Sequence, residues 1–387
     1  GCKVNAYEVE AMQQLLEEAG YEIVPFEPGA DVYLINTCTV TNIADRKSRQ
    51  MLHKAKKMNP DAIVIAAGCY VQTDEGKLDK DEAVDLILGN NQKTQIVEAL
   101  EEYEKEHAKQ VQVIEINHTK EYEELSISST AEHVRAYIKV QDGCNQFCTY
   151  CIIPFARGRV RSRKIEEVLS EVETLAAKGY KEVVLTGIHL SSYGVDFPKE
   201  ERESLLSLIQ AVSRVEGISR IRLGSLEPRI ITEEFLEGIV KTGKVCPHFH
   251  LSLQSGCNKT LKNMNRRYSA QEYAEKCELI RKFYPAPALT TDVIVGFPQE
   301  TEEDFEESYE FVKKIHFYET HIFKYSRREG TKAAAMKDQV PDQIKAARSA
   351  ELLELNRKKQ AIYEERLLGT TQEVLIEEKI VRDGEEL

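Results

Sequence analysis

The sequence predicts an α/β protein with two parallel-sheet domains, and three observations support this fold class. Apolar β-branched runs alternate with helical patterns over residues 1–117, which is typical of a doubly wound parallel sheet. The alternation resumes at residue 134 and gives six strand–helix units up to residue 340, which fit a partial (β/α)6 barrel. With 387 residues, the chain is long enough for two or three domains with substantial cores.

Composition and charge narrow the class of protein. Hydrophobic residues make up 42% of the chain and charged residues 30%, which is typical of soluble globular proteins. Because no apolar run approaches about eighteen residues and no signal peptide is evident, we expect no membrane association. Nine cysteines in a chain of net charge −13 favour reduced thiols and metal ligands over a secreted disulfide framework. We therefore expect a cytoplasmic protein.

The first domain, residues 1–117, begins with a predicted helix that ends at Gly20. Its apolar face is formed by Val9, Met12, Leu15, Leu16 and Ala19. Apolar runs predict strands at residues 32–35, 62–66 and 86–88, with further helices through about residue 58 and over about 94–103. A strand should precede Cys2 in such a domain, so we expect the chain to be truncated at its N terminus.

The second domain follows a polar segment, residues 118–133, which predicts a linker. Within residues 134–340, strands are predicted at 137–140, 182–185, 218–223, 249–253, 288–295 and 319–323. Helices are predicted between them at 164–178, 203–215, 232–241, 269–283 and 301–314. A charged connecting helix is predicted over residues 341–367, and residues 372–378 predict a strand in a final segment, 368–387.

Three cysteines in the loop after the first barrel strand have the spacing C-x3-C-x2-C: Cys144, Cys148 and Cys151. An iron–sulfur cube has four irons and normally takes four cysteines, so three ligands leave one iron open to a small molecule. A zinc knuckle, or a redox dithiol at Cys148 and Cys151, is the alternative. Zinc motifs usually need a second pair or histidines nearby, and none follows here.

Three more cysteines lie beside predicted strands of the first domain. Cys38 and Cys69 each follow a strand, and Cys2 stands just before the first helix. The carboxyl ends of parallel strands meet at one edge of a sheet, so these cysteines predict a second three-ligand cluster. Three unrelated buried thiols are the alternative.

Two basic runs stand out in the acidic chain. Residues 46–57 carry six Lys or Arg and are interpreted as a solvated helix face. Residues 157–164 carry five and no acid, and they begin six residues after Cys151. Alternate residues of an extended segment point the same way, so we expect one row of arginines that contacts a phosphate backbone. This row consists of Arg157, Arg159, Arg161 and Arg163.

These motifs resemble the methylthiotransferases of the radical S-adenosylmethionine (SAM) class. The cysteine triplet, with Tyr150 just before its last member, resembles the radical SAM motif. Gly1-Cys2-Lys3-Val4-Asn5, Asn36-Thr37-Cys38 and Ala67-Gly68-Cys69 resemble the N-terminal methylthiotransferase domain, whose cysteines hold an auxiliary [4Fe–4S] cluster. The motifs at 251–256, 261–268 and 292–298 are also similar to the family.

The resemblance implies two [4Fe–4S] clusters and a SAM site. The catalytic cluster would be held by Cys144, Cys148 and Cys151, and the auxiliary cluster by Cys2, Cys38 and Cys69. The residues that match the family's SAM contacts are Tyr150, Thr186, Gly187, Ser225, Glu227, Gln254, Arg266 and Val295. It also implies that residues 368–387 open a small β-barrel RNA-binding domain of the TRAM type.

The activity implied by the resemblance is the addition of a methylthio group to C2 of N6-threonylcarbamoyl-adenosine at position 37 of tRNA. This reaction uses two SAM molecules and an electron-donating reductase of the flavodoxin or ferredoxin type. Related enzymes instead modify isopentenyl-adenosine in tRNA or an aspartate of a ribosomal protein. A non-catalytic iron–sulfur electron or cluster carrier is the alternative of another class. Such a carrier should have four cysteines for each cluster.

Overall fold

The computed structural model describes residues 1–130, 134–201, 203–377, 381–382 and 385–386. It confirms an α/β protein with two parallel-sheet domains. In the described part of the chain, no helix has the length and apolar character needed to cross a membrane.

The first domain is a four-stranded parallel sheet of order β1-β2-β3-β4 with helices on both faces. Its strands are β1 Val32–Thr37, β2 Ile63–Gly68, β3 Leu86–Leu88 and β4 Gln110–Gln112. Its helices are α1 Lys3–Glu18, α2 Asn42–Met58, α3 Cys69–Leu78 and α4 Ile96–Glu106. Helices α2 and α3 cover one face of the sheet, and α1 and α4 cover the other. The short strand β4 was not predicted.

The second domain is a curled, open barrel. Its strands are β5 Arg135–Asp142, β6 Arg161–Ser162, β7 Glu182–Gly187, β8 Arg220–Leu223, β9 His248–His250, β10 Ala288–Val295 and β11 Glu319–Lys324. Strands β5, β7 and β8 form one parallel run and β9, β10 and β11 another. Parallel bridges join the two runs at Ile221 with Val245 and at Leu226 with Leu251. All six predicted strand–helix units are therefore present.

The helices of the barrel are α5 Ile153–Ala156, α6 Ile165–Ala177, α7 Leu205–Ser213, α8 Glu233–Val240, α9 Asn258–Asn263, α10 Ala270–Phe283 and α11 Glu302–Ile315. Side-chain caps set where several of them begin. Ser269 and Glu272 form a capping box on α10, and Thr301 and Asp304 form one on α11. The loops that follow the parallel strands therefore lie at one edge of the barrel. The cysteine triplet is in the loop after β5.

The predicted linker is part of the core. Residues 119–130 contain no regular helix or strand, as expected. However, Leu125 and Ile127 are each 2% exposed and pack in the same apolar cluster as Tyr7 of α1 and the barrel strands. The two apolar side chains alternate with exposed Glu124 and Ser126, so the segment has one buried face. It fixes the two domains against each other.

The C-terminal segment differs from its prediction. Helix α12 spans Asp342–Glu365, close to the expected 341–367. Residues 372–377 form no strand, and residue 378 lies outside the described residues. Val374 is 72% exposed and Ile376 75% exposed, so these residues lack the neighbouring strands that a stable strand needs. Strands β12 Val381–Arg382 and β13 Glu385–Glu386 form a short antiparallel pair. The RNA-binding domain stays a prediction.

Candidate active site

The cysteine triplet lies in a tightly constrained loop between β5 and α5. Gly143 has φ +69°, and a Cβ there would stand 1.8 Å from the Arg159 carbonyl oxygen, so only glycine fits. The Cys144 amide donates to the Gly158 carbonyl at 3.0 Å, and the Cys151 amide donates to the Cys148 carbonyl at 3.0 Å. The loop is therefore shaped by its own backbone.

Two distant segments also hold this loop. The Thr149 amide donates to the Met264 carbonyl at 3.0 Å, and the Thr149 hydroxyl donates to the Asn263 carbonyl at 2.8 Å. The Thr149 carbonyl in turn accepts from the Ala333 amide at 2.9 Å. The 261–268 motif thus supports the triplet directly.

The second cysteine set lies at helix starts and strand ends of the first domain. Cys2 is the N-cap of α1, Cys38 follows β1, and Cys69 opens α3 directly after β2. Asn5 joins two of these places, because its amide donates to the Asn36 carbonyl at 3.1 Å. Cys2 and Cys69 are at helix N-termini, where the helix dipole favours thiolates. The predicted gathering of these cysteines at one sheet edge agrees with this geometry.

Several cysteine sulfurs accept hydrogen bonds. Cys69 Sγ accepts from Arg157 Nε at 3.2 Å and from Asn90 Nδ2 at 3.6 Å. In the triplet, Cys148 Sγ accepts from Arg266 Nη1 at 3.4 Å. Cys144 Sγ accepts from the Gln146 amide at 3.5 Å. Donors of this kind suit sulfur that carries negative charge, as thiolate ligands do.

The cysteines fit clusters better than zinc. Tetrahedral zinc draws its thiolate sulfurs to about 3.8 Å from one another. Among the described residues, the group whose ligand atoms all lie within 4.8 Å is His250, Asp292 and His321, and neither cysteine set is drawn together so closely. A cube instead spreads its thiolates over separate irons. Burial raises the pKa of Cys144 to about 11 and that of Cys151 to about 12, so iron binding must displace their protons.

The proposed SAM contacts of the first strands lie at strand ends. Thr186 is buried at the end of β7, and a Cβ on Gly187 would stand 2.8 Å from Gln141 Oε1. Ser225 is exposed after β8. Glu227 is buried, and its carboxylate accepts from Arg229 Nε at 2.7 Å.

The other SAM candidates lie on several different elements. Gln254 has φ +73° and is bridged to β10, because its backbone amide donates to the Asp292 carbonyl at 2.8 Å. Arg266 links Cys148 to Tyr268, donating to the Tyr268 hydroxyl at 2.8 Å. Tyr150 lies in the triplet loop and Val295 in strand β10. The Tyr150 ring meets Phe297 edge-on at 6.5 Å between centroids, and Val295 is 1% exposed at the end of β10.

The expected arginine row is wrong for three of its four members. Arg157, Arg161 and Arg163 are between 1% and 5% exposed and cannot reach a tRNA backbone in this structure. Their partners are buried carboxylates of Glu8, Asp142 and Glu171. The buried arginine side chains of this stripe point inward, because helix α1 places the Glu8 carboxylate against Arg157. Arg159 alone is exposed, with its guanidinium 4.5 Å from the centroid of the Phe147 ring.

Sequence reasoning missed a buried ionic network between the domains. Arg157 pairs with Glu8 through both terminal nitrogens, at 2.8 and 2.9 Å, and with Asp142 at 3.2 Å. Lys139 pairs with the same two carboxylates at 3.1 and 2.8 Å. Glu8 lies on a helix whose sequence resembles that of a surface helix, so the sequence does not indicate that its carboxylate belongs to a buried ionic network.

A second connection, also missed, reaches the Cys38 loop. Arg328 follows β11 and pairs with Asp45 at 2.5 Å, and it donates to the Thr39 hydroxyl at 2.7 Å. Five residues later, Ala333 holds Thr149 of the triplet loop. One segment of the barrel domain therefore contacts the loops of both cysteine sets.

An open barrel with a three-cysteine loop after its first strand is the arrangement of radical SAM enzymes. The radical SAM superfamily profile matches residues 138–312, and the profile of uncharacterized protein family UPF0004 matches residues 1–89. The fold is similar to the radical S-adenosylmethionine methyltransferase TsrM from Kitasatospora setae. That likeness has a TM-score of 0.62 at 15% identity and covers 84% of this chain and 70% of TsrM.

Similar proteins of known activity narrow the class of radical SAM enzyme. The threonylcarbamoyladenosine tRNA methylthiotransferase MtaB of Bacillus subtilis (strain 168) is 43% identical over 100% of this chain and 85% of its own length. MtaB of Aquifex aeolicus (strain VF5) is 45% identical over 98% and 92%. The tRNA-2-methylthio-N(6)-dimethylallyladenosine synthase of Carboxydothermus hydrogenoformans (strain ATCC BAA-161 / DSM 6008 / Z-2901) is 36% identical over 100% and 88%. The chain belongs to the radical SAM tRNA methylthiotransferase family.

Proposed function

We propose that this enzyme adds a methylthio group to C2 of N6-threonylcarbamoyl-adenosine at position 37 of tRNA. The observation that carries the proposal is a contact between the segment that follows the triplet and the other cysteine set. Arg157, six residues after Cys151, donates to Cys69 of the other set at 3.2 Å. A contact of this kind supports a reaction in which one site forms a radical and the other supplies sulfur. The identity to the MtaB proteins supports the choice of tRNA substrate.

Different residues of the chain have different roles in this reaction. A cluster held by Cys144, Cys148 and Cys151 would, with SAM bound, supply the radical chemistry needed to remove the C2 hydrogen. Cys2, Cys38 and Cys69 hold the auxiliary cluster that carries the sulfur. Residues at the strand ends orient SAM: Tyr150, Thr186, Gly187, Ser225, Glu227, Gln254, Arg266 and Val295. Arg266 also holds Cys148, so it connects the SAM site to the cluster.

The partners follow from this activity. tRNA is the macromolecular substrate, and the exposed Arg159 beside Phe147 is the member of the basic stripe that remains available to its phosphates. A flavodoxin- or ferredoxin-type reductase supplies the electron. A cytoplasmic location of the reaction is supported by these proposed partners.

The division of labour is tested by removing one cysteine from each set. Cys144→Ala should abolish formation of 5′-deoxyadenosine and lower iron from about eight to about four atoms per chain. Cys69→Ala should lose the same amount of iron, keep SAM cleavage and block methylthiolation. Cys246→Ala, a buried cysteine outside both sets, is the matched control and should keep full iron. Radical formation by Cys144→Ala would refute the assignment.

The substrate is tested by mass spectrometry of tRNA nucleosides from a strain lacking the gene, with and without complementation. We expect methylthio-threonylcarbamoyl-adenosine to disappear and to return with the wild-type gene. Loss of the methylthio group from isopentenyl-adenosine, or from a ribosomal-protein aspartate, would instead assign the enzyme to a related type.

A further inference from the structure

We propose that Arg157 is a positioning residue that holds the auxiliary cluster through Cys69 and raises its reduction potential. This inference rests on the proposed function, because it takes Cys2, Cys38 and Cys69 as cluster ligands. It assigns to a fully buried member of the basic stripe a role toward the cofactor instead of toward tRNA.

The contacts of Arg157 leave its guanidinium no freedom. Nη1 and Nη2 clamp the Glu8 carboxylate at 2.8 and 2.9 Å, which fixes the plane of the group. Nη1 also reaches Asp142, two residues before Cys144, at 3.2 Å. The remaining nitrogen, Nε, therefore points in a set direction and donates to Cys69 Sγ at 3.2 Å. A hydrogen bond so constrained orients the thiolate as well as binding it.

Among the described residues, the ion pairs of this network leave one positive charge without a carboxylate to balance it. The ion pairs join four cations to three carboxylates, and each side chain is 3% exposed or less. The cations are Lys93, Lys139, Arg157 and Arg161, and the carboxylates are Glu8, Glu123 and Asp142. An unpaired buried charge is costly, so the extra cation needs an anion. Cys69 Sγ lies 3.2 Å from Arg157 Nε, and as a ligand of an anionic cluster it supplies that anion.

The sign of the effect follows from electrostatics. Reduction adds one negative charge to a cluster. A buried cation with an N–H···S hydrogen bond stabilises the reduced form more than the oxidised form, because screening by water is weak there. Removing Arg157 should therefore make the auxiliary cluster harder to reduce.

The experiment uses the full chain with Cys144, Cys148 and Cys151 changed to alanine, so that the EPR signal reports the auxiliary cluster alone. After anaerobic reconstitution, Arg157→Gln is titrated potentiometrically. The network should tolerate this change, because Lys139 still pairs with both carboxylates. It lies 3.1 Å from Glu8 and 2.8 Å from Asp142. We expect one-electron reduction to become about tenfold less favourable, which corresponds to about 59 mV.

Two further variants make the result specific. Arg157→Lys keeps the charge but not the planar fork, and its potential should fall between those of the parent and Arg157→Gln. Arg163→Gln is the matched control, since Arg163 is another buried arginine that pairs with a glutamate, Glu171, and faces α1 through Tyr7 without touching a cysteine. Its potential should equal that of the parent.

The possible failures are distinguishable. If the parent holds no iron at Cys2, Cys38 and Cys69, the proposed auxiliary site is wrong, and the role of Arg157 falls with it. If the parent holds its cluster and Arg157→Gln has the same potential and iron retention as Arg163→Gln, only the inference about Arg157 is overturned.

Discussion

Two half-buried histidines, His189 and His248, are neutral at pH 7 in the folded protein because the pKa of each is well below its usual value. Burial lowers the pKa of each to about 4, and cationic neighbours act in the same direction, Arg266 on His189 and Arg222 on His248. In the unfolded chain the pKa is about 6.5, so unfolding takes up protons between these values. Stability is therefore complete above pH 6.5 and is lost as the pH falls toward 4.

This proton uptake predicts a loss of about 2 kcal/mol for each of the two histidines between pH 7 and pH 5. His248→Gln should remove the contribution of one histidine to this loss of stability. Its urea midpoint should therefore fall less on acidification than that of the wild type. The exposed His118→Gln is the control and should behave as the wild type. An unchanged pH dependence in His248→Gln would show that this histidine titrates normally.

At the scale of residues, the sequence predicted the cysteines but not their surroundings. Spacing marks Cys144, Cys148 and Cys151 because ligands of one cluster lie close along the chain. Arg157 was assigned to the wrong partner because its buried contact, Glu8, is 149 positions away. Alternation shows that side chains share a face, but only the packing of α1 decides that the face is buried.

At the scale of elements, the loop that carries the triplet depends on one glycine. Gly143→Ala should push the loop away from the Arg159 carbonyl, since the new Cβ would lie 1.8 Å from that oxygen. We expect the variant to lose the iron of this site, about four atoms per chain, and with it SAM cleavage. Iron content and 5′-deoxyadenosine formation measure the two effects.

The matched control is Gly179→Ala. Gly179 also has positive φ, +95°, but nothing lies within 4 Å of its Cβ position. It should cost roughly 1–2 kcal/mol of stability through backbone strain and leave iron content unchanged. Equal iron loss in both variants would mean that strain, not the clash at the triplet loop, is responsible.

Long elements were predicted within a few residues, whereas the short strands β4 and β6 were missed. Strand β10 and helix α10 have enough residues to show a period of 2.0 or 3.6. Strand β6 has two residues and β4 three, and so short a segment carries no periodicity. The predicted strand at 372–378 shows the opposite error, since an apolar alternation forms a strand only when neighbouring strands pair with it.

At the scale of the molecule, the segment 119–130 makes two domains behave as one body. Leu125→Ala and Ile127→Ala should each destabilise by about 2–5 kcal/mol, because each empties a position in the shared core. Protease cleavage in this segment should become correspondingly faster. Ser126→Ala, between them and exposed, should leave the cleavage rate unchanged. Rapid cleavage of the wild-type segment would show that it is a flexible linker and is not packed in the core.

The extra positive charge among the ion pairs of the domain contact would link cofactor loading to the contact between the domains. If Cys2, Cys38 and Cys69 hold the proposed auxiliary cluster, its negative charge would offset this cation and strengthen the contact. By reciprocity, a stronger contact would retain the cluster longer.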